Sequence, residues 1–309
     1  MGFLLFYLAL SFALAVLVFV RMHVRTSPEK WRRTGNFMKD PEYAAMFEEG
    51  NDWAIKNKGF ISEESIQNDG FKLCAQYFDF GYSKAVIIVP GLNASCNYSY
   101  YYAIPYKERG YNVLAIDTRS HGYSEGKYNT VGYKEYSDIL AWGRFLRNEK
   151  KNDFVVLHGI CVGSSATIFA VSKEREQLCF DALVVEGVFI NYYNHYWQRT
   201  LKQFHYLPVP HAFFFACIMR FITGINIRKN GPVDCIKDVK IPVLFLHGKQ
   251  DKYSPPKYVP AMFEKCGSRR KKLVWFEKGR HSFLRYTNPE SYDGAIFDFL
   301  ADAAQGEEK

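Results

Sequence analysis

Short apolar runs of strand length recur along this chain, and helix-like stretches separate them. After an early candidate strand, "FKLCAQYF", the runs are "KAVIIVP", "YNVLAIDT", "DFVVLHG", "DALVVEG", "IPVLFLHG" and "KLVWFEKG". Each is short and apolar and is followed by glycine or a polar residue, which is typical of strands buried on both faces. Apolar residues recur at helical spacing from Tyr133 to Arg147 and from Ser291 to Ala303. This alternation predicts an α/β fold in which helices cover both faces of a mainly parallel sheet.

One interval between two predicted strands carries no strand pattern of its own. It runs from Phe189 to about Asp234 and is rich in aromatic residues. In open α/β sheets ligands bind at the carboxyl ends of the strands, and this interval follows such an end. We therefore predict a helical cap at about residues 188–234 that covers a binding site. Ordinary helical packing against the sheet is the alternative.

The N-terminus carries an uncharged apolar run from Phe3 to Val20. At about 1.5 Å per residue, a helix of this length covers about 27 Å, close to the thickness of the hydrocarbon core of a bilayer. A cleaved signal peptide is the alternative, but no basic region precedes the run and no small-x-small cleavage site follows it. The pattern predicts an uncleaved transmembrane anchor within residues 1–25.

Positive charges follow the apolar run and do not precede it, which bears on the side of the membrane that the domain occupies. These charges are Arg21, Arg25, Lys30, Arg32 and Arg33. Because Lys and Arg are enriched on the cytoplasmic side of a span, the asymmetry predicts a single-pass membrane protein with its domain in the cytoplasm. The seven cysteines are an odd number at irregular spacings, which favours reduced thiols over a disulfide framework.

Between the anchor and the first strand, residues 26–60 hold an amphipathic segment. In "DPEYAAMFEEGNDWAIKN", Tyr43, Met46, Phe47 and Trp53 lie near helical spacing. This spacing predicts a helix that packs against the domain, with a position on the membrane surface as the alternative. The remaining residues, 61–309, are then expected to form the α/β domain.

Charge and metal-ligand patterns narrow the classes of partner. The net charge is +8, but the Lys and Arg residues are scattered among Asp and Glu without a long basic tract, so nucleic-acid binding is not expected. The cysteines form no CxxC pair, and His195, His205 and His211 of the predicted cap do not have the spacing of a zinc site. We therefore expect no metal site.

The segment "VVLHGICVGSSA" places a reactive residue type between two glycines at the end of a predicted strand. Strand, tight turn and helix start in this order form the nucleophile elbow G-x-S-x-G, with Cys161 in place of serine. Gly159 and Gly163 permit the strained turn, and the amides of the following helix favour a thiolate. A buried cysteine is otherwise most often an inert apolar residue. Ser164 and Ser165 lie beyond the second glycine and are expected to point away from the mouth of the sheet.

Three further loops follow predicted strands and complete a candidate site. "HGKQD" presents Asp251, and "GRHS" presents His281. The chain order nucleophile, acid, histidine suits acyl transfer, because an imidazole must accept the proton of the nucleophile and a carboxylate must orient that imidazole. Glu186, which ends another predicted strand, is the alternative acid. The third loop, "PGLNAS", contributes the Leu92 amide, which together with the amide of Val162 is the predicted oxyanion hole.

With these motifs in chain order, residues from about Phe71 to Leu300 resemble the α/β-hydrolase superfamily. Within it, the chain resembles the membrane-anchored bacterial hydrolases of the serine aminopeptidase S33 and BEM46-like groups, whose D-x-R-x-H-G-x-S-x-G stretch is similar to "DTRSHGYSEG" here. The resemblance implies an eight-stranded sheet and a helical cap between strands six and seven. It also implies hydrolysis of an ester, thioester or amide without a cofactor.

Two features depart from the pattern of that family. Its nucleophile is usually serine where this chain has Cys161, and its first loop usually reads His-Gly where this chain has Pro90 and Gly91. Dienelactone hydrolases of the same superfamily are similar in having cysteine at the elbow. We predict a hydrolase of a small or lipid-like apolar acyl substrate that uses Cys161, His281 and Asp251 and forms a covalent acyl-enzyme. A non-catalytic binding or scaffold protein of the same fold at the membrane is the alternative.

Overall fold

One sheet of eight strands forms the centre of the computed structural model, which describes residues 1–33, 40–174, 179–204 and 209–305. The strands are β1 (Ile61–Asn68), β2 (Phe71–Phe78), β3 (Lys84–Val89), β4 (Tyr111–Ile116), β5 (Phe154–Ile160), β6 (Ala182–Glu186), β7 (Val243–Gly248) and β8 (Lys271–Phe276). Their spatial order is β1-β2-β4-β3-β5-β6-β7-β8. The pairs β1 with β2 and β2 with β4 are antiparallel, and the other neighbours are parallel. The predicted α/β fold with a mainly parallel, eight-stranded sheet is confirmed.

Eleven α-helices in the described residues connect and cover the strands. They are α1 (Gly2–His23), α2 (Pro41–Lys56), α3 (Tyr100–Glu108), α4 (Tyr136–Asn148), α5 (Val162–Lys173), α6 (Tyr192–Phe204), α7 (His211–Thr223), α8 (Pro232–Cys235), α9 (Val259–Lys265), α10 (Leu284–Thr287) and α11 (Pro289–Gln305). The two helices expected from apolar spacing correspond to α4 and α11, to within three residues at each end. Between β6 and β7 lie α6, α7 and α8, in the interval where the cap is predicted.

Both faces of the central strands, β3 to β7, are buried. Along β3, Ala85, Ile87 and Val89 belong to the hydrophobic cluster on one face, whereas Val86 and Ile88 belong to the cluster on the other. Helices α4 and α5 contribute to the first cluster, and α3 and α11 contribute to the second. Because side chains alternate across a strand, a strand covered on both faces is apolar at every position. This explains why "KAVIIV" shows no polar alternation.

Strand β1 is a strand that the apolar pattern does not reveal. Its sequence, "ISEESIQN", is mostly polar, and its residues are half-buried or exposed. It pairs with β2 along its full length, from Ile61 opposite Phe78 to Asn68 opposite Phe71. As an edge strand it is held by backbone hydrogen bonds to one neighbour and buries little apolar surface. The hydrophobic signal on which strand prediction depends is therefore weak here.

Helix α1 lies against the cap. The Tyr7 hydroxyl donates to the carbonyl of Val209 at 2.7 Å, and the rings of Phe12 and Phe214 meet edge to face with centroids 5.6 Å apart. Most of the other apolar side chains of α1 are exposed. Among the described residues, α1 is the one helix that is long and apolar enough to cross a membrane. It therefore agrees with the predicted anchor in length and composition.

Helix α2 is the amphipathic helix expected between the anchor and the first strand. It begins after Asp40, whose side chain accepts hydrogen bonds from the amides of Glu42 and Tyr43. Its buried face packs on α3, and a Cβ at Gly50 would lie only 2.7 Å from the amide nitrogen of Tyr101. The helix thus packs closely on the domain, as the first of the two alternatives proposes.

Candidate active site

Cys161 occupies a sharp turn between β5 and α5. Its backbone has φ +56° and ψ −114°, a strained conformation that costs a residue with a Cβ about 1–3 kcal/mol. The flanking glycines make this turn possible, because a Cβ on Gly163 would lie 2.0 Å from the carbonyl oxygen of Val89 and one on Gly159 would lie 2.6 Å from Cα of Ser164. The chain therefore forms the predicted strand–turn–helix elbow with Cys161 at its tip.

Asp251 and His281 meet across two loops that follow neighbouring strands, β7 and β8. His281 Nδ1 lies 2.6 Å from Asp251 Oδ2, and Asp251 Oδ1 accepts hydrogen bonds from the amides of Tyr253 and Ser254 at 2.9 and 2.7 Å. Burial alone would raise the pKa of Asp251, but the charge of His281 and these hydrogen bonds outweigh it and lower that pKa. The carboxylate is therefore fixed in orientation and favoured in its ionised form.

The imidazole of His281 also lies near the sulfur of Cys161. One ring nitrogen of His281 is within 4.8 Å of Sγ, and Nε2 is buried without a hydrogen-bond partner among the described residues. Because Nδ1 is bound to Asp251, Nε2 is the ring nitrogen that remains available. Burial opposes a charged imidazole, but the charges of Asp251 and Cys161 outweigh it and raise the pKa of His281 well above its ordinary value.

Glu186, the alternative acid, has a different partner. Its Oε2 accepts a hydrogen bond from the Tyr292 hydroxyl at 2.6 Å, and burial raises the pKa of this carboxyl to about 7. The same hydroxyl of Tyr292 lies 3.1 Å from Nε2 of His158, which is fully buried and precedes the elbow glycine Gly159. Of the two candidate carboxylates, Asp251 is therefore the one hydrogen-bonded to the imidazole.

Ser164 is also turned away from the site. Its hydroxyl is fully buried and lies 2.7 Å from the carbonyl oxygens of both Gly159 and Glu186. Ser165, the next residue, is buried as well. Both serines lie within α5, as their position after the second glycine predicts.

The loop expected to provide the second oxyanion donor lies against the elbow. A Cβ on Gly91 would be 3.4 Å from Cβ of Cys161, and the following residue, Leu92, lines the same cavity as Cys161. Val162 follows Cys161 directly and begins α5. Both residues predicted to supply amides are therefore next to the sulfur-bearing turn.

A cavity of about 560 Å³ opens above the elbow. Cys161, His281 and the first loop form its floor, and the cap contributes His195 and Arg199. Helix α2 forms another wall through Tyr43, Met46 and Phe47. The sequence predicts α2 but not its place beside the cavity, because no local pattern records which distant residues a helix will contact.

An ion-pair cluster fastens the start of α2 to the loop that carries His281. The guanidinium of Arg280 donates to both carboxylate oxygens of Asp40 at 2.6 and 2.7 Å and to Glu42 at 2.5–2.9 Å. Because Arg280 immediately precedes His281 in the chain, this cluster links the cavity wall to the residue beside the sulfur.

His195 is the residue of the site that the sequence does not reveal. The cap histidines show no metal-ligand spacing, yet the fold brings a nitrogen of His195 within 4.8 Å of both the Cys161 sulfur and a nitrogen of His281. Burial lowers the pKa of His195 to about 3, so this imidazole is neutral. His211 contacts Tyr196 instead, and His205 lies outside the described residues.

Comparisons with known proteins cover both halves of this site. Residues 84–178 match the family described as alpha/beta hydrolase fold, and residues 233–288 match the family described as serine aminopeptidase, S33. The first range holds Cys161, and the second holds Asp251 and His281.

Relatives of the chain occur in bacteria and fungi. It is similar to the uncharacterized protein YqkD of Bacillus subtilis, with 27% identity over 262 residues that cover 78% of this chain and 82% of YqkD. The protein bem46 of Schizosaccharomyces pombe is 27% identical over 64% of this chain, and the match spans 60% of the length of bem46. Among solved structures, the Pyrococcus furiosus esterase Pf2001 is similar with a TM-score of 0.67 and 23% identity, over 88% of this chain and 96% of the esterase. At that identity the structural similarity shows a shared fold.

Proposed function

We propose that this chain, an α/β-hydrolase of the BEM46-like type, hydrolyses a carboxylic ester, thioester or amide of an apolar acyl substrate with Cys161 as its nucleophile. The proposal rests on the pair formed by Asp251 Oδ2 and His281 Nδ1, which lie 2.6 Å apart. A nitrogen of the same imidazole lies within 4.8 Å of the Cys161 sulfur on the elbow. A nucleophile, a base and a group that orients the base are the parts that acyl transfer needs.

In the first half of the reaction, His281 Nε2 accepts the proton of the Cys161 thiol, and the sulfur attacks the carbonyl carbon of the substrate. The carbonyl π electrons move to oxygen, where the amides of Leu92 and Val162 donate hydrogen bonds to the developing charge. When the tetrahedral intermediate collapses, the bond to the leaving group breaks, and His281 returns its proton to that group. The acyl group is then held on Cys161 as a thioester.

Water completes the cycle by the same steps. His281 takes a proton from water, the resulting hydroxide attacks the thioester carbonyl, and the carbon–sulfur bond breaks to release the carboxylic acid. The sulfur recovers its proton from His281. The charge of Asp251, which contributes to the raised pKa of His281, supports this role because it stabilises the imidazolium present after each proton transfer.

The cavity supports an apolar acyl substrate. Side chains of Met46, Phe47, Leu92, Ile160 and Phe283 are among those that line it together with Cys161. Apolar walls with a few polar groups near the reacting atoms are typical of sites that bind the hydrophobic part of a small ligand. An acyl chain placed along these walls brings its carbonyl to Cys161.

The hydrolase test uses the full chain in detergent with aryl esters and thioesters of short and long acyl chains. We expect turnover that Cys161→Ala and His281→Gln both abolish. If the protein shows no turnover and a cysteine-directed acyl probe does not label Cys161, the hydrolase proposal is wrong, and a non-catalytic binding or scaffold role at the membrane becomes the better account.

Helix α1 is proposed to anchor the chain in a membrane, with the hydrolase domain in the cytoplasm. Its apolar length supports the span, and the basic residues that follow it support the orientation. The test replaces exposed Cys217 by serine and exposed Lys58 by cysteine, and then adds a maleimide that cannot cross membranes. We expect labelling above the parent Cys217→Ser protein only after lysis; labelling of intact cells would show the opposite orientation.

A further inference from the structure

We propose that Cys161, His195 and His281 also form a binding site for a thiophilic metal ion of the Zn²⁺ class, and that the bound ion reversibly blocks the nucleophile. The blockade rests on the proposed hydrolase function, whereas the binding does not. The site uses residues from three parts of the fold: the elbow after β5, the cap helix α6 and the loop after β8.

The donor set is suited to zinc. One sulfur and two imidazole nitrogens lie within 4.8 Å of one another, and these three side chains are the one such group of His, Cys, Asp and Glu found among the described residues. Thiolate and imidazole ligands select Zn²⁺ and similar soft or borderline ions over Mg²⁺ and Ca²⁺, which prefer oxygen. These ligand types therefore favour an ion of the Zn²⁺ class.

Each imidazole is also oriented by a second group, as the imidazoles of metal sites usually are. Nδ1 of His281 is bound to Asp251 at 2.6 Å, and Nδ1 of His195 lies 3.4 Å from the hydroxyl of Ser254. These contacts leave Nε2 of both rings as the nitrogen that can bind the ion. The hydrogen bond between Asp251 and His281 can therefore orient the imidazole toward a metal ion as well as toward a nucleophile.

The separation of the donors requires only a modest closure. Zinc bonds of about 2.3 Å to sulfur and about 2.0–2.1 Å to nitrogen place tetrahedral donor atoms about 3.5 Å apart. The present separations, of up to 4.8 Å, exceed this by at most about 1.3 Å. Side-chain rotation of His195 and a small shift of α6 close that gap, and a fourth position stays open to water.

Occupancy by the ion would stop acyl transfer by direct competition. A metal bond to Cys161 uses the sulfur lone pair that attacks the carbonyl, and a bond to Nε2 of His281 occupies the nitrogen that accepts the proton. Binding changes no covalent bond except that the one proton held between Sγ of Cys161 and Nε2 of His281 is released to solvent. Removal of the ion by a chelator therefore restores the site.

The binding test titrates the full chain with Co²⁺, a spectroscopic substitute for Zn²⁺, and records the absorption band of a cobalt–thiolate bond. We expect one equivalent of Co²⁺ to produce the band, Zn²⁺ to displace it, and Cys161→Ser to abolish it. His195→Gln should weaken binding by at least about tenfold, and His195→Cys, which keeps a metal ligand, should restore most of it.

Cys217→Ser is the matched control, because it removes an exposed thiol of α7 that lies outside the cavity. It should leave the cobalt band unchanged. A band that persists in Cys161→Ser, a band that is insensitive to both His195 variants, or no band at all would overturn the metal site. These outcomes are independent of turnover, so they are distinguishable from failure of the hydrolase proposal.

The blockade is tested with the same protein. Zn²⁺ should inhibit hydrolysis, EDTA should restore it, and His195→Gln should raise the inhibitory concentration of Zn²⁺ by about the same factor by which it weakens binding. Stimulation of hydrolysis by Zn²⁺, or inhibition that His195→Gln does not relieve, would overturn the blockade even if the ion binds.

Discussion

Nδ1 of His281 lies 2.6 Å from Oδ2 of Asp251, although 30 residues separate them in the chain. The contact exists because β7 and β8 are neighbouring parallel strands, so that the loops at their carboxyl ends meet. The other oxygen of Asp251 is held by the amides of Tyr253 and Ser254. The carboxylate is therefore fixed on one side by backbone and on the other by the imidazole.

This relationship predicts which acid supports the reaction. Asp251→Asn should lower kcat by roughly a hundredfold or more, because the amide does not hold the imidazole in the same tautomer or stabilise its charge. Glu186→Gln, which keeps the shape of a side chain bound to Tyr292 instead, should change kcat by no more than a few-fold. Steady-state kinetics on both variants, with the same ester, compare the two carboxylates. The reverse ranking would assign the orienting role to Glu186.

Glu186 should instead determine how stability depends on pH. The folded chain keeps this carboxyl protonated up to a pKa of about 7, whereas an unfolded glutamate ionises near 4.5. Between these values the folded state binds more protons than the unfolded state, so the free energy of unfolding falls as the pH rises.

Relative to Glu186→Gln, the wild-type protein should lose about 2.5 kcal/mol of stability between about pH 5 and about pH 8. Urea unfolding of both proteins at the two pH values measures this difference. If the free energies of unfolding of the two proteins differ by the same amount at both pH values, the Glu186 carboxyl ionises at its ordinary pKa in the folded chain.

Gly163 should be intolerant of any side chain. A Cβ there would lie 2.0 Å from the carbonyl oxygen of Val89, a backbone atom of β3 that cannot move without disturbing the sheet. Gly163→Ala should destabilise the protein by about 1–3 kcal/mol or more and displace the elbow. The matched control is Gly294→Ala in α11, where a Cβ meets nothing within 4 Å.

That control should stabilise the protein by about 0.5–1 kcal/mol, since alanine favours a helix more than glycine does. Thermal unfolding of both variants gives the comparison. If Gly163→Ala were as stable as Gly294→Ala, the close approach of the elbow to β3 would be incorrect.

The ion pairs of Arg280 should affect substrate binding more than stability. The Arg280 side chain is 47% exposed, and pairs at such positions contribute about 0–1 kcal/mol to folding. Arg280→Gln frees the start of α2 from the loop that carries His281, so we expect a several-fold rise in KM with a smaller change in kcat. The control is Lys249→Gln, which removes an exposed pair with Glu277 outside the cavity lining. An equal effect of both variants on KM would mean that α2 does not need this contact to form the cavity wall.

The parts of the fold that could be predicted from sequence are those with a local signal. Buried parallel strands read as apolar runs, and the elbow reads as Gly159-x-Cys161-x-Gly163 because a strained turn needs glycine on both sides. Asp251 and His281 follow their strands directly, so strand order alone brings them together. Their distance from the Cys161 sulfur, however, depends on the three-dimensional fold and could not be predicted from the sequence.

Other features have no local signal. Strand β1 is polar because it is an edge strand, and α2 becomes a cavity wall only through contacts with α3 and with Arg280. His195 reaches Cys161 because the cap folds over the sheet. The sequence around His195 in α6 does not predict this contact. Long-range packing decides these positions, and a single sequence shows it only indirectly.

In the proposed reaction, the sulfur of Cys161 carries the acyl group. The most direct measurement is mass spectrometry of the full chain after a brief reaction with an aryl thioester or ester and an acid quench, with Cys161→Ala as the control. We predict an added acyl mass on the peptide that contains Cys161 in the wild-type protein, which decays as acid is released, and none on the corresponding peptide of Cys161→Ala. Turnover without an acyl adduct on Cys161, undiminished in Cys161→Ala, would show that Cys161 is not the nucleophile.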